Sequence, residues 1–245
     1  MVIPAYNEEI RILPTIGAVA SHVSELGFEW DLIVSDDGST DRTVSLVSNL
    51  GLPNARVIPA DRNRGKGAAV RTGMLAARGD YVLFCDADFS TPIVELGNLL
   101  QPLVEDRYDV AVGSRVVVGA VVENRSAARK LISSGMSALV RTLGGLKISD
   151  TQCGFKLFNR QAAHTLFEMQ SVDGFAFDLE ILHLAARLGF RVVEVPVHWY
   201  EAPFSKVDPV RDSVRVLGDA VRIRWRLASG NLRADNPDTD RVAIQ

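Results

Sequence analysis

The chain has 245 residues, 47% of them hydrophobic and 23% charged, enough to bury one substantial core or one core with a small lobe. A formal net charge of −3 excludes a nucleic-acid partner held by bulk electrostatics. No stretch approaches the roughly 20 apolar residues that span a bilayer, and the N-terminus lacks the basic-then-apolar order of a signal peptide, so any membrane contact is expected to be peripheral.

Short β-rich runs alternate with amphipathic segments. Strands are expected at Val2-Ile3, Leu32-Ile33-Val34, Arg56-Val57-Ile58, Tyr81 to Cys85 and Asp109 to Gly113, with helices over Glu9 to Leu26, Arg42 to Leu50 and Gly67 to Arg78 between them. This alternation predicts an α/β fold with a mostly parallel central sheet, helices on both faces and ligands outside the C-terminal strand ends. Met1-Val2-Ile3-Pro4 leaves little room for a first strand, which is either stunted or begins upstream. One domain is expected over residues 1–228, with a disordered tail over 229–245 rich in Asn, Asp, Arg and Pro. Cys85 and Cys153 sit in unrelated contexts and read as a reduced pair in a cytosolic protein.

The polar motifs cluster after the strands. Pro4-Ala5-Tyr6-Asn7-Glu8-Glu9 follows the first and Asp36-Asp37-Gly38-Ser39-Thr40-Asp41 the second, each combining carboxylates with turn residues. Asp86-Ala87-Asp88 follows the run ending at Cys85. On extended backbone two side chains two apart point the same way, and two hard oxygen ligands suit Mg2+ or Mn2+ carrying a diphosphate. The alternative is turn and cap chemistry, with Thr91 as N-cap and Pro92 opening a helix. Asn63-Arg64-Gly65-Lys66-Gly67 opens a helix where backbone N–H groups and Lys66 can approach an anion, without the order of a Walker A loop. Arg129 and Ser133, four apart, share a helix face and can converge on one phosphate. The four histidines show no metal-ligand spacing. Over Asp208 to Leu227 an apolar stripe with basic flanks fits either docking on the domain or an anionic membrane surface.

The three carboxylate motifs together resemble the nucleotide-sugar-binding half of family 2 glycosyltransferases of the GT-A fold. That resemblance implies a nucleoside held by Pro4, Tyr6, Glu8, Asp37 and Asp36, a diphosphate near Lys66 and Asp86, and a metal on Asp86 and Asp88. Gly113-Ser114-Arg115, Arg129 and Ser133 resemble the acceptor-phosphate site of polyprenol-phosphate sugar synthases. The run Asp150 to Phe158, with Phe175 to Glu180 and Trp199-Tyr200-Glu201 before Ser205-Lys206, resembles the dolichyl-phosphate β-glucosyltransferases more than their mannosyl relatives. Glu201-Ala202-Pro203-Phe204 departs from the glycine usual before Ser-Lys. Asp178 stands where many inverting relatives carry a base, and Lys206 would assist the leaving group. A phosphate acceptor is already anionic, which favours positioning over base catalysis for Asp178. The implied activity is transfer of glucose from UDP-glucose to a polyprenyl phosphate at the cytoplasmic face of a membrane. Transfer from GDP-mannose, a soluble acceptor, or an inactive sugar-nucleotide-binding protein are the alternatives.

Overall fold

The computed structural model describes residues 1–123 and 148–201, together with 218, 219, 222, 223 and 226. A seven-stranded sheet runs in the order β3-β2-β1-β4-β7-β5-β8, from β1 (Val2–Ala5), β2 (Leu32–Asp36), β3 (Ala55–Pro59), β4 (Tyr81–Cys85), β5 (Val110–Ser114), β7 (Phe155–Asn159) and β8 (Val192–Pro196). A parallel ribbon of β6 (Val121–Glu123) and β9 (His198–Tyr200) stands beside it. All pairings in the large sheet are parallel except those of β7, which runs antiparallel between β4 and β5. Since β4 and β5 both oppose β7, they run parallel to each other. The C-terminal ends of every other strand in this sheet therefore open on one edge, where β7 begins.

Alternation along the strands separates two apolar layers. Val2, Ile33, Val82, Phe84, Val110, Val112 and Phe158 face one layer, covered by α3 (Lys66–Ala76), α5 (Arg160–Met169) and α6 (Phe177–Leu188). Ile3, Leu32, Val34, Leu83, Cys85, Ala111, Phe155 and Leu157 face the other, covered by α1 (Ile12–Glu25), α2 (Thr43–Ser48) and α4 (Leu96–Val104). Helix α1 presents Ile12, Ile16, Val19 and Val23 at helical spacing, which is why it lies flat on the sheet. It starts later than Glu9, because the Glu8 carbonyl first accepts the N–H groups of Arg11 and Ile12 in a turn. The first strand holds four buried residues and pairs with β2 and β4.

Part of the C-terminal amphipathic stretch is described. Ile223 is buried in the α3-side core, and Arg226 pairs with Glu180 of α6 at 2.7 Å, so at these residues the stretch docks on the domain. Residues 229–245 lie outside the described residues.

Gly73 shows how closely α3 lies on β1: a Cβ there would collide with Val2 Cγ1 and crowd Ser35. Gly73→Ala should cost about 1–3 kcal/mol in a urea melt. Adding Val2→Ala should return part of that loss.

Candidate active site

The edge at the C-terminal strand ends carries most of the sequence-predicted residues. Strand β4 stops at Cys85, and Asp86-Ala87-Asp88 forms a turn rather than extended backbone, closed by the Phe89 N–H on the Asp86 carbonyl at 3.4 Å with Phe89 at φ 58°. The two carboxylates thus owe their proximity to a turn, not to strand alternation. Nor does Thr91 cap a helix: Pro92 is extended and a single 3-10 turn begins at Ile93. The Asp86 N–H bonds the Gly154 carbonyl at 3.0 Å, one step beyond the β4–β7 ladder. Glycine at 154 leaves the Asp86 carboxylate its place, since a Cβ there would overlap it.

Asp86 Oδ1 is buried and accepts no directed hydrogen bond, though the Lys66 ammonium lies 2.6 Å away as an ion pair. Asp88 accepts the Ser90 N–H at 3.0 Å, and burial, then the neighbouring Asp86 charge, raise its pKa above the ordinary carboxylate value. Two close carboxylates at a strand end, with hard oxygen donors, fit a divalent cation that would share Asp86 with the Lys66 ammonium. Among the described residues no group of three or more His, Cys, Asp or Glu side chains converges on a metal, so substrate or water oxygens would complete its shell.

Lys66 is the first residue of α3, entered through Gly65 at φ 119°. Burial opposes its charge, but Asp86 and Asp178 outweigh that and hold the ammonium above the usual lysine value. Its helix start is not an open anion cradle, because the Asp173 carbonyl accepts the Ala68 N–H at 3.2 Å and a Cβ on Gly65 would lie 2.5 Å from that carbonyl. Asp178 is the second residue of α6. It is buried and pairs with Lys156 of β7 at 2.5 Å. Burial pushes the Asp178 carboxyl up, against the pull of Lys156 and Lys66.

Arg115 follows β5 and grips Asp150 through Nε at 2.7 Å and Nη2 at 2.8 Å, while its guanidinium lies 5.5 Å from the Trp199 ring centre. The pair leaves the Nη1 side of the fork for an anion. Asp150 is in turn fixed by Glu194 of β8, whose carboxylate accepts the N–H groups of Ser149 at 2.7 Å and Asp150 at 2.9 Å and the Ser114 hydroxyl at 2.9 Å.

At the end of β2, Asp36 accepts the Gly38 and Ser39 N–H groups at 3.0 and 2.9 Å, folding the turn after that strand. Asp37 accepts the Arg64 and Gly65 N–H groups at 2.9 and 2.8 Å, tying that turn to the loop before α3; burial nonetheless raises its pKa. Both carboxylates line a cleft of about 540 Å³ whose other walls include Ile58, Arg62, Arg64 and Thr72. Pro4 and Glu8 are buried nearby in sequence, with Glu8 forked to Arg11 at 2.7 Å, and Tyr6 is 40% exposed; none of the three lines the cleft. Arg129, Ser133 and Lys206 lie outside the described residues.

The family model for glycosyl transferase family 2 matches residues 1–167. The chain belongs to glycosyltransferase family 2. A dolichyl-phosphate beta-glucosyltransferase of Dictyostelium discoideum is 36% identical over 94% of this chain and 75% of that protein. Those of Saccharomyces cerevisiae and Homo sapiens are 37% and 34% identical, covering 95% and 96% of this chain and 76% and 77% of theirs. A solved glucosyl-3-phosphoglycerate synthase of Mycobacterium tuberculosis, in complex with Mn2+, UDP and glucosyl-3-phosphoglycerate, superposes with a TM-score of 0.70 at 22% identity, covering 91% of this chain and 78% of that one. The architecture is the GT-A fold.

In this family 2 glycosyltransferase, Asp150, Gly154 and Lys156 lie within the run Asp150 to Phe158, whose individual roles consecutive residues do not reveal, and Glu194 stands in a strand that carries no motif. The signals present are a charged residue inside a mostly apolar run, Lys156 among Phe155, Leu157 and Phe158 and Glu194 between Val193 and Val195. The partners that explain Asp150, Gly154 and Lys156, namely Arg115, Asp86 and Asp178, are 35, 68 and 22 residues away in sequence.

The raised pKa of Asp88 has a stability consequence of definite sign. The folded value exceeds the unfolded one, so this carboxyl favours folding below about pH 4 and opposes it as pH rises through the folded value. Asp88→Asn should therefore leave the metal-free melting temperature at neutral pH unchanged or higher, while removing the rise expected of wild type on adding Mn2+. Gly154→Ala should lose the same metal-induced rise, because its Cβ displaces the Asp86 carboxylate.

The Lys156–Asp178 pair gives a second expectation. Lys156→Met alone should destabilise by about 3–5 kcal/mol, and Lys156→Met with Asp178→Leu by much less, as chemical denaturation of both variants would measure.

Proposed function

We propose that the protein transfers glucose from UDP-glucose to a polyprenyl phosphate of the dolichyl type, inverting the anomeric carbon. The observation that carries this reading is the Asp86–Lys66 ion pair beside Asp88, set at the same sheet edge as Arg115 and the Asp36-Asp37 turn. Relatives named dolichyl-phosphate beta-glucosyltransferase support the choice of sugar and acceptor.

Asp86 and Asp88 would hold Mg2+ or Mn2+, and the bound ion would draw off charge that develops on the departing diphosphate. Lys66 sits against Asp86 and adds a second positive charge on that side, with Lys206 a candidate for a third. Asp36 and Asp37 would shape the wall of the cleft that takes the nucleoside; Pro4, Tyr6 and Glu8, which do not line that cleft, would act from the turn after β1. Arg115, through its Nη1 side, would hold the acceptor phosphate together with Arg129 and Ser133. An oxygen of that phosphate forms the new bond to the anomeric carbon as the bond to UDP breaks, the electron pair leaving with UDP. The attacking oxygen is already ionised near neutral pH, so no proton must be removed. Asp178, sealed against Lys156, is assigned to positioning rather than to base catalysis. The acceptor's tail lies in lipid, so the protein would work as a peripheral protein, at the cytoplasmic face. Among the described residues no helix is long and apolar enough to cross a membrane.

Purified protein with a panel of nucleotide sugars and a short polyprenyl phosphate tests the reading directly. Glucosyl transfer from UDP-glucose that requires a divalent ion is expected. Preferential mannosyl transfer from GDP-mannose would overturn the donor assignment. Arg129→Ala should weaken use of the acceptor by roughly 10- to 100-fold while the KM for the donor hardly moves. Equal losses for both substrates would put Arg129 on the nucleotide side.

A further inference from the structure

The loop between β5 and β6 reads Arg115-Val116-Val117-Val118-Gly119-Ala120 and runs into Val121-Val122. Val118 is 100% exposed, Val116 55% and Val121 38%. Single exposed valines are ordinary, but two on one short loop and a third opening the next strand concentrate apolar surface that water alone does not favour. Nothing in the chemistry above uses them.

The loop cannot easily fold this patch away. At one end Arg115 is gripped by Asp150, and at the other the Val121 N–H bonds the Val197 carbonyl at 3.2 Å and β6 pairs with β9. Between these anchors the Ala120 N–H closes a turn on the Val117 carbonyl at 3.1 Å, with Gly119 at φ 97°, so Val118 is held at the tip. The loop leaves the C-terminal end of β5, at the sheet edge that also carries Asp86 and Asp88. The sequence that follows it, residues 124–147, contains five Lys or Arg and no Asp or Glu, in a chain whose net charge is −3. An apolar tip followed by a stretch whose charged residues are all cationic complements an anionic lipid surface, whose headgroups attract the cations and whose acyl boundary accepts the valines.

We propose that the Val116–Val121 loop is a membrane wedge, entering an anionic bilayer at the edge where the acceptor phosphate would be used. This builds on the polyprenyl-phosphate reading, but it can be tested on vesicles that contain no acceptor and no donor.

The full chain would be floated with phosphatidylcholine vesicles with and without phosphatidylglycerol. Wild type should bind the anionic vesicles, and Val116→Asp/Val118→Asp should bind at least roughly tenfold more weakly with an unchanged melting temperature. Direct insertion is read from Val118→Cys carrying an environment-sensitive dye. Cys85 and Cys153 are buried with thiol pKa values pushed up to about 12 and about 11, so labelling goes to the introduced site. A blue shift on adding anionic vesicles is the expected result. No vesicle binding, binding that ignores the double substitution, or binding without a dye shift would each overturn the wedge. So would a dimer in solution that the double substitution dissolves, which would make the patch a protein interface. Insertion without glucosyl transfer in the activity assay would leave the wedge standing and remove only the acceptor reading.

Discussion

A lysine ammonium in the middle of the sheet has to be neutralised, and much of the site follows from how this is done. Lys156 stands on the antiparallel strand β7, opposite Phe84 on one side and Val112 on the other, both fully buried. Left alone, a charge there would cost several kcal/mol. Asp178 supplies the counter-charge and so fixes where α6 begins; the Cys153 carbonyl takes a second ammonium hydrogen at 2.6 Å, and the Phe84 ring lies 5.3 Å from Nζ. Phe177, next to Asp178, meets Phe84 edge-on at 5.7 Å between ring centres.

The same helix then reaches the other positive group. Glu180, one turn beyond Phe177, accepts the N–H groups of Ser171 and Val172 at 2.9 and 2.8 Å and holds the segment before α6 in place. That segment presents its Val172 and Asp173 carbonyls to Gly67 and Gly65 so closely that only glycine fits. The start of α3 is thereby set, and Lys66 points at Asp86. Charges of alternating sign run from Lys156 through Asp178 and Lys66 to Asp86, which lets two lysines and several carboxylates coexist at a largely buried edge. Arg226 adds a cation to Glu180, so the docked part of the C-terminal stretch belongs to this arrangement as well as to the core.

A second set of contacts fixes the opposite side. Glu194 and Arg115 hold Asp150 from β8 and β5, and the short segment from Asp150 to Gly154 transmits that position to Asp86. Arg115 therefore has a framework role whatever anion its remaining side meets. Burial disfavours the Asp150 charge, yet Arg115 holds its carboxyl below the usual carboxylate value, so the pair stays ionised at neutral pH. The Asp86-Ala87-Asp88 turn and the Arg115 guanidinium are thus joined through one loop.

Patterns local to the chain settled the architecture. Alternating β-rich and amphipathic runs determined the layered α/β fold, and five predicted strands appear within two residues of their expected ends, because strand and helix periodicity is written in consecutive residues. The motifs after β1, β2 and β4 were likewise legible as polar turns at strand ends. What tertiary structure alone decided was the pairing of charges. Asp86 and Asp88 are close because of a turn, Asp178 faces a lysine of strand β7, and Arg115 is met by Asp150 from the loop before β7, itself held by Glu194 of β8. A charge's partner depends on which strands become neighbours. Here β7 enters between β4 and β5 against the direction of both, a placement that no run of consecutive residues encodes.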